Sequence, residues 1–354
     1  MIIADVARVL IPAALSFVIG MGMTPILTHY LYKYKAWKKK SGKLALDGTV
    51  AETFSQLHKV QETRAPRMGG VIIWGSVVMT TFVIALLARL WPNDLLVSLN
   101  FLSRNQTWIP LVTLVIGALM GLVDDLLAIR PSGEGLSLRV RLGVVFILSA
   151  MIGWWFWYKL GVAAIAIPFM APLVVGWGII PFFVVLSLAL YASGVIDGID
   201  GLAGAVFGSI FSAYAIIAFA QSQYDLAAFC AAISGGLLAF LWFNIPPARF
   251  YMSDTGSTSL TLALGVVALM TDTKGGGVGI AVLPIIGGLL VITVLSNVVQ
   301  VVHKKIYHKK LLRVAPLHHH LEAIGWPGYK VTMRYWVMSI VLAFLGVILA
   351  IVAL

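Results

Sequence analysis

The sequence predicts an all-α, polytopic integral membrane protein of about ten transmembrane helices, and three observations carry that reading. Of its 354 residues, 60% are hydrophobic and only 11% charged, against about 25% charged in soluble globular chains. Apolar runs approaching or exceeding the roughly 20 residues that span a hydrocarbon core recur along the whole chain. These runs are continuous rather than alternating, which favours helices over a membrane barrel. No soluble domain or internal repeat interrupts them, so residues 1–354 are read as a single integral membrane domain.

The first run covers 9–32. No basic stretch precedes it, and Lys33, Lys35, Lys38, Lys39, Lys40 and Lys43 follow it. It therefore reads as a retained span rather than a cleaved leader. Further runs cover 69–90, 108–123, 142–158, 179–196, 202–220, 226–243, 256–271, 279–302 and 331–354, with 160–178 unassigned. Alternating crossings place 33–68, 124–141, 197–201, 244–255 and 303–334 on one face. Those segments hold nine, three, none, one and seven of the 25 lysines and arginines. Positive loops stay in the cytoplasm, so both termini are expected in the periplasm.

The formal charge of +11 has two readings. Basic loops set topology and touch anionic lipid, or they also collect an anionic substrate on the cytoplasmic face. No nucleic-acid partner is expected. Cys230 is the lone cysteine, inside an apolar run, so no disulfide forms within the chain and a structural role is expected.

Only 14 residues are acidic, and five of these lie at cytoplasmic ends of expected spans: Asp124, Asp125, Asp197, Asp200 and Asp254. A carboxylate at the bilayer centre costs roughly 2.5–3.5 kcal/mol, and ionisable groups in spans usually mark function. Asp197 and Asp200, within ASGVIDGIDGLAG, share a side of a helical turn at i, i+3 spacing. The glycines around them let backbone or ligand come close. Asp124 and Asp125 are adjacent, so on a helix their side chains diverge by about 100° and take different tasks. Asp254, in WFNIPPARFYMSDTGSTSLT, follows the helix-ending Pro246 and Pro247. It reads either as a cap of the next helix or as a site acid. Asn244 and Tyr251 add polar, stacking-capable groups at the same depth.

The last cytoplasmic loop carries APLHHHLEAIGW. Three consecutive histidines on a helix point in three directions and no cysteine is near, so the spacing argues against zinc. Hard oxygen ligands suit Mg²⁺, which pairs one or two carboxylates with substrate phosphates. Carboxylates, imidazoles, arginines and a divalent cation at a lipid–water boundary suit phosphoryl transfer. One member of the Asp124/Asp125 pair is the expected general base.

GLVDDLLAIR, VIDGIDGLAG, FNIPPARFYMSDTGS and PLHHHLEAIGW, with APRMGGVIIW earlier, resemble in order the motifs of the phospho-N-acetylmuramoyl-pentapeptide transferase family. The resemblance covers nearly the whole chain. It implies Mg²⁺-dependent transfer of phospho-MurNAc-pentapeptide from UDP-MurNAc-pentapeptide to undecaprenyl phosphate, giving lipid I and UMP. It also implies a homodimer in the bacterial inner membrane.

Residue by residue, Asp124 matches the acid that deprotonates the lipid phosphate, with Asp125 its partner. Asp254 matches the magnesium-binding acid, for which a nucleophilic role is the alternative, and Asp197 is the second implied metal ligand. Asp197 and Asp200 match the uridine and sugar-nucleotide site. Asn244, Tyr251, Gln300, His318, His319 and His320 match the rest of that pocket's wall. Departures are concentrated near the donor. Tyr191 and Gly194 stand where the family has asparagines, and Leu126 and Ala128 where it has Tyr and Lys. Ala65-Pro66-Arg67 replaces Thr-Pro-Thr, and an upstream lysine is unmatched. Arg64 or Arg67, and Arg130, Arg139 or Arg141, are the candidate replacements for lost positive charge, with Arg67 and Arg139 the ones expected to bind substrate. The nearest alternative is a sister transferase loading GlcNAc-1-phosphate or a related sugar onto polyprenyl phosphate. An ion-coupled transporter is the alternative from another class.

Overall fold

A computed structural model describes residues 2–37, 65–103, 106–130, 133 and 135–354. Lys38, Lys39, Lys40, Lys43, Lys59 and Arg64 of the first basic loop lie outside the described residues. The described residues are helical almost throughout. In order come α1 (Ile2–Lys33), α2 (Gly70–Leu90), the short α3 (Asp94–Leu99), α4 (Trp108–Ala128) and α5 (Leu138–Leu160). A two-residue hairpin, β1 (Ala164–Ile165) and β2 (Leu173–Val174), occupies part of the stretch left unassigned from sequence. Then follow α6 (Ile179–Ser193), α7 (Leu202–Ala220), α8 (Tyr224–Asn244) and α9 (Ser253–Met270). The chain closes with α10 (Gly279–Ile286), α11 (Gly288–Tyr307), α12 (Leu317–Ala323) and α13 (Gly328–Val352).

Nine helices among the described residues are long and apolar enough to cross a membrane. The 18-residue α9 is the tenth long element, and its first half is rich in Ser, Thr and Gly. Such a sequence is tolerated because α9 is the centre of the bundle: from Thr255 to Met270 every residue is buried. Its hydroxyls bond its own carbonyls, as Thr261 Oγ1 does to Ser257 O at 2.8 Å, so few polar groups are left for lipid to solvate. α4, α6 and α2 pack around it, and α1, α8, α7 and α13 extend the layer outward. Small residues set the approach of α1 to α8: a Cβ on Gly235 would overlap the Ala13 carbonyl. Lipid gives helices no hydrophobic reason to associate, so such close backbone contact is what holds them.

The expected single span 279–302 is instead two helices, α10 and α11, broken at Gly287 just after Pro284. Proline removes one ladder hydrogen bond and crowds the preceding turn. α11 is buried only at Leu289, Leu290 and Thr293 and presents Leu295, Val298, Val302 and Ile306 outward.

All five acids expected on the cytoplasmic side lie on one face. The end of α1 meets residues 65–69 there, with Arg67 N donating to Ala36 O at 2.8 Å. The start of α13 joins them through Thr332 Oγ1 and Asp200 O, 2.8 Å apart. The opposite face is tied by Arg8 Nε to Ser98 O (2.9 Å) and by Asp272, whose oxygens accept from Ala166 N and Ile280 N at 2.8 and 2.9 Å. Burial, only partly offset by those backbone donors, raises the Asp272 pKa.

Candidate active site

The polar start of α9 is where the acids meet. A helix N-terminus leaves backbone N–H groups unpaired and carries partial positive charge, which favours carboxylates there. Asp254 does not cap its own helix, because no side chain caps α9 locally. The capping acids come from elsewhere in the chain. Asp125 Oδ2 accepts from Thr255 N at 3.0 Å and from Thr255 Oγ1 at 2.6 Å. Asp197 Oδ2 accepts from Ser253 N at 2.7 Å.

Backbone geometry makes this convergence possible. α4 crosses α9 so closely that a Cβ on Gly121 would overlap the carbonyl of Asp254. One turn further along α4, Asp124 and Asp125 are therefore carried to the end of α9. Ser253 adopts φ +59 and Met68 φ +69, left-handed values that are uncommon outside glycine. Both are held by a short main-chain zipper: Tyr251 N to Pro66 O (2.9 Å), Gly69 N to Tyr251 O (2.8 Å) and Gly70 N to Met252 O (3.1 Å). That zipper lays Arg67 against the acids.

Arg67 bridges two of them. Its Nε donates to Asp125 Oδ1 at 2.9 Å and its Nη2 to Asp254 Oδ2 at 3.1 Å. Burial alone would lower the Arg67 pKa, but the charges of Asp125 and Asp254 outweigh it and the net shift is upward. Asp124 turns the other way, as the divergence expected for adjacent helical residues requires. It accepts from Leu136 N and pairs with Arg141 Nη1 at 3.1 Å. The Tyr191 side chain lies near the same arginine. Arg139 is exposed and has no hydrogen bond or ion pair among the described residues. The two arginines sit two positions apart, about 200° around the helix, so only one can face Asp124. Arg139, expected from sequence to bind substrate, is therefore not the arginine that pairs with Asp124. Tyr191, which replaces a family asparagine, was legible only as a departure.

The second half of the site is the DGIDG turn. A Cβ on Gly198 would stand 2.5 Å from His319 Nε2 and 2.9 Å from His318 Nε2. The glycine is thus what lets the two motifs touch. His318 and His319 are buried, and His319 Nδ1 meets Glu322 Oε2 at 2.8 Å. The i, i+3 spacing within HHHLE was a readable signal for that pair. His320 is half-buried, its Nδ1 accepting from Arg313 N at 3.1 Å. Asp200 Oδ2 accepts from Ala248 N at 3.1 Å.

Asn244 and Gln300 have their amides engaged on the backbone. Asn244 accepts from Gly201 N (2.9 Å) and donates to Phe250 O (2.8 Å), clamping the DGIDG turn to the loop before α9. Gln300 exchanges hydrogen bonds with Leu312 N and O at 2.9 and 3.1 Å, fixing the loop that leads to α12. Tyr251 is half-buried beside Arg67 through the zipper.

Among the described residues, no group of three or more acidic, histidine or cysteine side chains forms a ready metal cage. Mg²⁺ does not need one: it keeps several waters and takes one or two carboxylates with substrate phosphates. Asp124 and Asp125 are buried, with side-chain exposures of 5% and 0%. Asp254 is 32% exposed at its side chain and Asp197 is half-buried. The donor set therefore fits a hydrated divalent cation on Asp254 and Asp197.

Comparison with known proteins shows the family of the chain. Residues 107–272, from the start of α4 to the end of α9, match the glycosyl transferase family 4 model. Phospho-N-acetylmuramoyl-pentapeptide-transferase of Geobacillus sp. (strain WCH70) is 31% identical over 342 residues, covering 94% of this chain and 95% of that one. The protein of the same name from Moorella thermoacetica is 32% identical over 352 residues, covering 96% and 97%. The chain belongs to the phospho-N-acetylmuramoyl-pentapeptide-transferase family. It is accordingly a membrane-embedded transferase, and the transporter alternative falls away. Within this chain, Arg67 and Arg141 are the arginines that pair with the gathered acids.

Proposed function

We propose that this enzyme transfers phospho-MurNAc-pentapeptide from UDP-MurNAc-pentapeptide to undecaprenyl phosphate, with Mg²⁺, releasing UMP and forming lipid I for peptidoglycan synthesis. The active site then faces the cytoplasm of a bacterial inner membrane, both termini are periplasmic, and the working unit is a homodimer. The observation that carries the reading is the convergence of Asp124, Asp125, Asp197 and Asp254 on the start of α9, flanked by Arg67 and Arg141. The names of the relatives support the substrates, the distribution of positive loops supports the orientation, and the homodimer rests on the motif resemblance alone.

In this reading a lipid-phosphate oxygen forms a bond to the sugar-linked phosphorus. The bond from that phosphorus to the UMP oxygen breaks, and UMP leaves with the electron pair. Asp254 and Asp197 would hold Mg²⁺, which would supply charge neutralisation for the pyrophosphate. Asp124, oriented by Arg141 and Leu136 N, takes the proton of the attacking phosphate. Asp125 stays buried and orients Arg67 and the α9 terminus. Asp200, Asn244, Tyr251, Gln300 and the histidines 318–320 form the wall of the nucleotide-sugar pocket, with Asn244 and Gln300 acting through the backbone they hold.

A sister reading is a transferase of GlcNAc-1-phosphate to polyprenyl phosphate. Tyr191 and Arg67 favour it, since both change side chains near the donor. Offering purified protein each UDP-sugar separately, with undecaprenyl phosphate and Mg²⁺, decides between them through UMP release. Turnover of UDP-MurNAc-pentapeptide is expected, and turnover of UDP-GlcNAc alone would reject the assignment.

A further inference from the structure

Arg67 makes two unequal contacts. The Nε bond ends on Asp125, whose side chain is fully buried and whose other oxygen is already taken by Thr255. The Nη2 bond ends on Asp254, 32% exposed at its side chain. The backbone beneath is fixed, with Arg67 N on Ala36 O and Pro66 O on Tyr251 N. One end of the guanidinium is thus an anchor and the other reaches the exchangeable edge of the site. A planar fork suits this, because it can keep one partner and trade the other for a phosphate oxygen.

Resting on the function proposed above, we propose that Arg67 is a resident cation that occupies Asp254 until a pyrophosphate arrives. It then transfers its Nη2 end from Asp254 to phosphate and so couples divalent-cation binding to donor binding. With Arg67 on Asp254, an incoming cation meets a carboxylate already neutralised. When the fork moves to an anion, Asp254 regains its charge for the metal. Counted at formal charge, Asp124, Asp125, Asp197 and Asp254 outnumber Arg67 and Arg141 by two negatives, the charge of one divalent ion. The consequence is synergy: metal binds the free enzyme weakly and the anion-loaded enzyme tightly.

The test is Mn²⁺ binding to the purified full chain in detergent, by calorimetry and by electron paramagnetic resonance, with and without inorganic pyrophosphate. Free Mn²⁺–pyrophosphate complexation is subtracted from a protein-free titration. Wild type should bind Mn²⁺ at least about tenfold more tightly with pyrophosphate, the scale of one charge-assisted hydrogen bond. Arg67→Ala should bind Mn²⁺ more tightly than wild type without pyrophosphate and lose most of the synergy. Because that variant strips Asp125 of its counterion, Arg67→Lys is the second arm. Its ammonium still pairs with Asp125 but cannot fork, so it should shift the same way. If neither variant tightens Mn²⁺ binding in the absence of pyrophosphate, the proposal is overturned. UMP release by wild type alongside that result would leave the transferase reading standing. Wild type that binds no Mn²⁺ even with pyrophosphate would overturn this proposal and the metal-dependent reading together.

Discussion

Gly121 of α4 lies against the main-chain carbonyl of Asp254, with no room for a Cβ between them. That contact, with Gly117 against Ser259 and Thr258 further along, sets the distance between the two helices that carry three of the four converging acids. A substitution here has no flexible neighbour to displace, because the obstacle is backbone. Gly121→Ala is expected to push α4 off α9 and destabilise the protein by about 2 kcal/mol or more, as overpacking does. Thermal unfolding in detergent checks it, and a melting temperature equal to wild type would contradict the contact.

Asp125 and Arg67 form a buried pair, and the acid also caps α9. Asp125→Asn keeps the shape and removes the charge. Breaking one side of such a pair costs about 3–5 kcal/mol, so a large loss of stability is expected. The double variant with Arg67→Met should be less damaged than the sum of the singles. Additive losses in a double-mutant cycle would deny the coupling.

How much of this was readable beforehand differs by element. Long spans such as 70–90 and 202–220 were visible because apolar length alone defines them. The divergent tasks of Asp124 and Asp125 followed from helical geometry. The capping of α9 by Asp125 was not visible, since it joins residues 130 positions apart and depends on helix crossing. The break at Gly287 hid inside a run whose hydrophobicity is continuous, though Pro284 was the available signal. The choice of Arg141 over Arg139 rests on the rotation of α5, which an amphipathic pattern fixes poorly in a helix exposed to lipid.

Gly198 separates the DGIDG turn from His318 and His319. Gly198→Ala should lower UMP release at least tenfold, roughly the effect of displacing one positioned group, with little change in melting temperature. In a background carrying both His318→Ala and His319→Ala the same change should cost much less, because both obstructing ring nitrogens are gone. Equal losses in both backgrounds would show that the glycine matters for another reason.

Asp272 bears on pH. Its carboxyl is buried and its pKa is raised in the folded protein. A raised native pKa means that the folded state holds the proton more firmly than the unfolded one. The stability it contributes is therefore complete below the ordinary carboxylate pKa and is lost as pH rises through the raised value. Relative to Asp272→Asn, wild type should lose stability across that interval. Unfolding temperatures of the two proteins measured from pH 4 to pH 8 should converge or cross in that direction. A wild-type advantage that grows with pH would contradict the assignment.

The most direct measurement of the central claim is UMP release by Asp254→Asn beside wild type, both as folded protein with UDP-MurNAc-pentapeptide, undecaprenyl phosphate and Mg²⁺. If the acids gathered at the start of α9 are one cradle for metal and pyrophosphate, wild type turns over and the variant falls by about a thousandfold or more. A folded Asp254→Asn protein that releases UMP at the wild-type rate would contradict it.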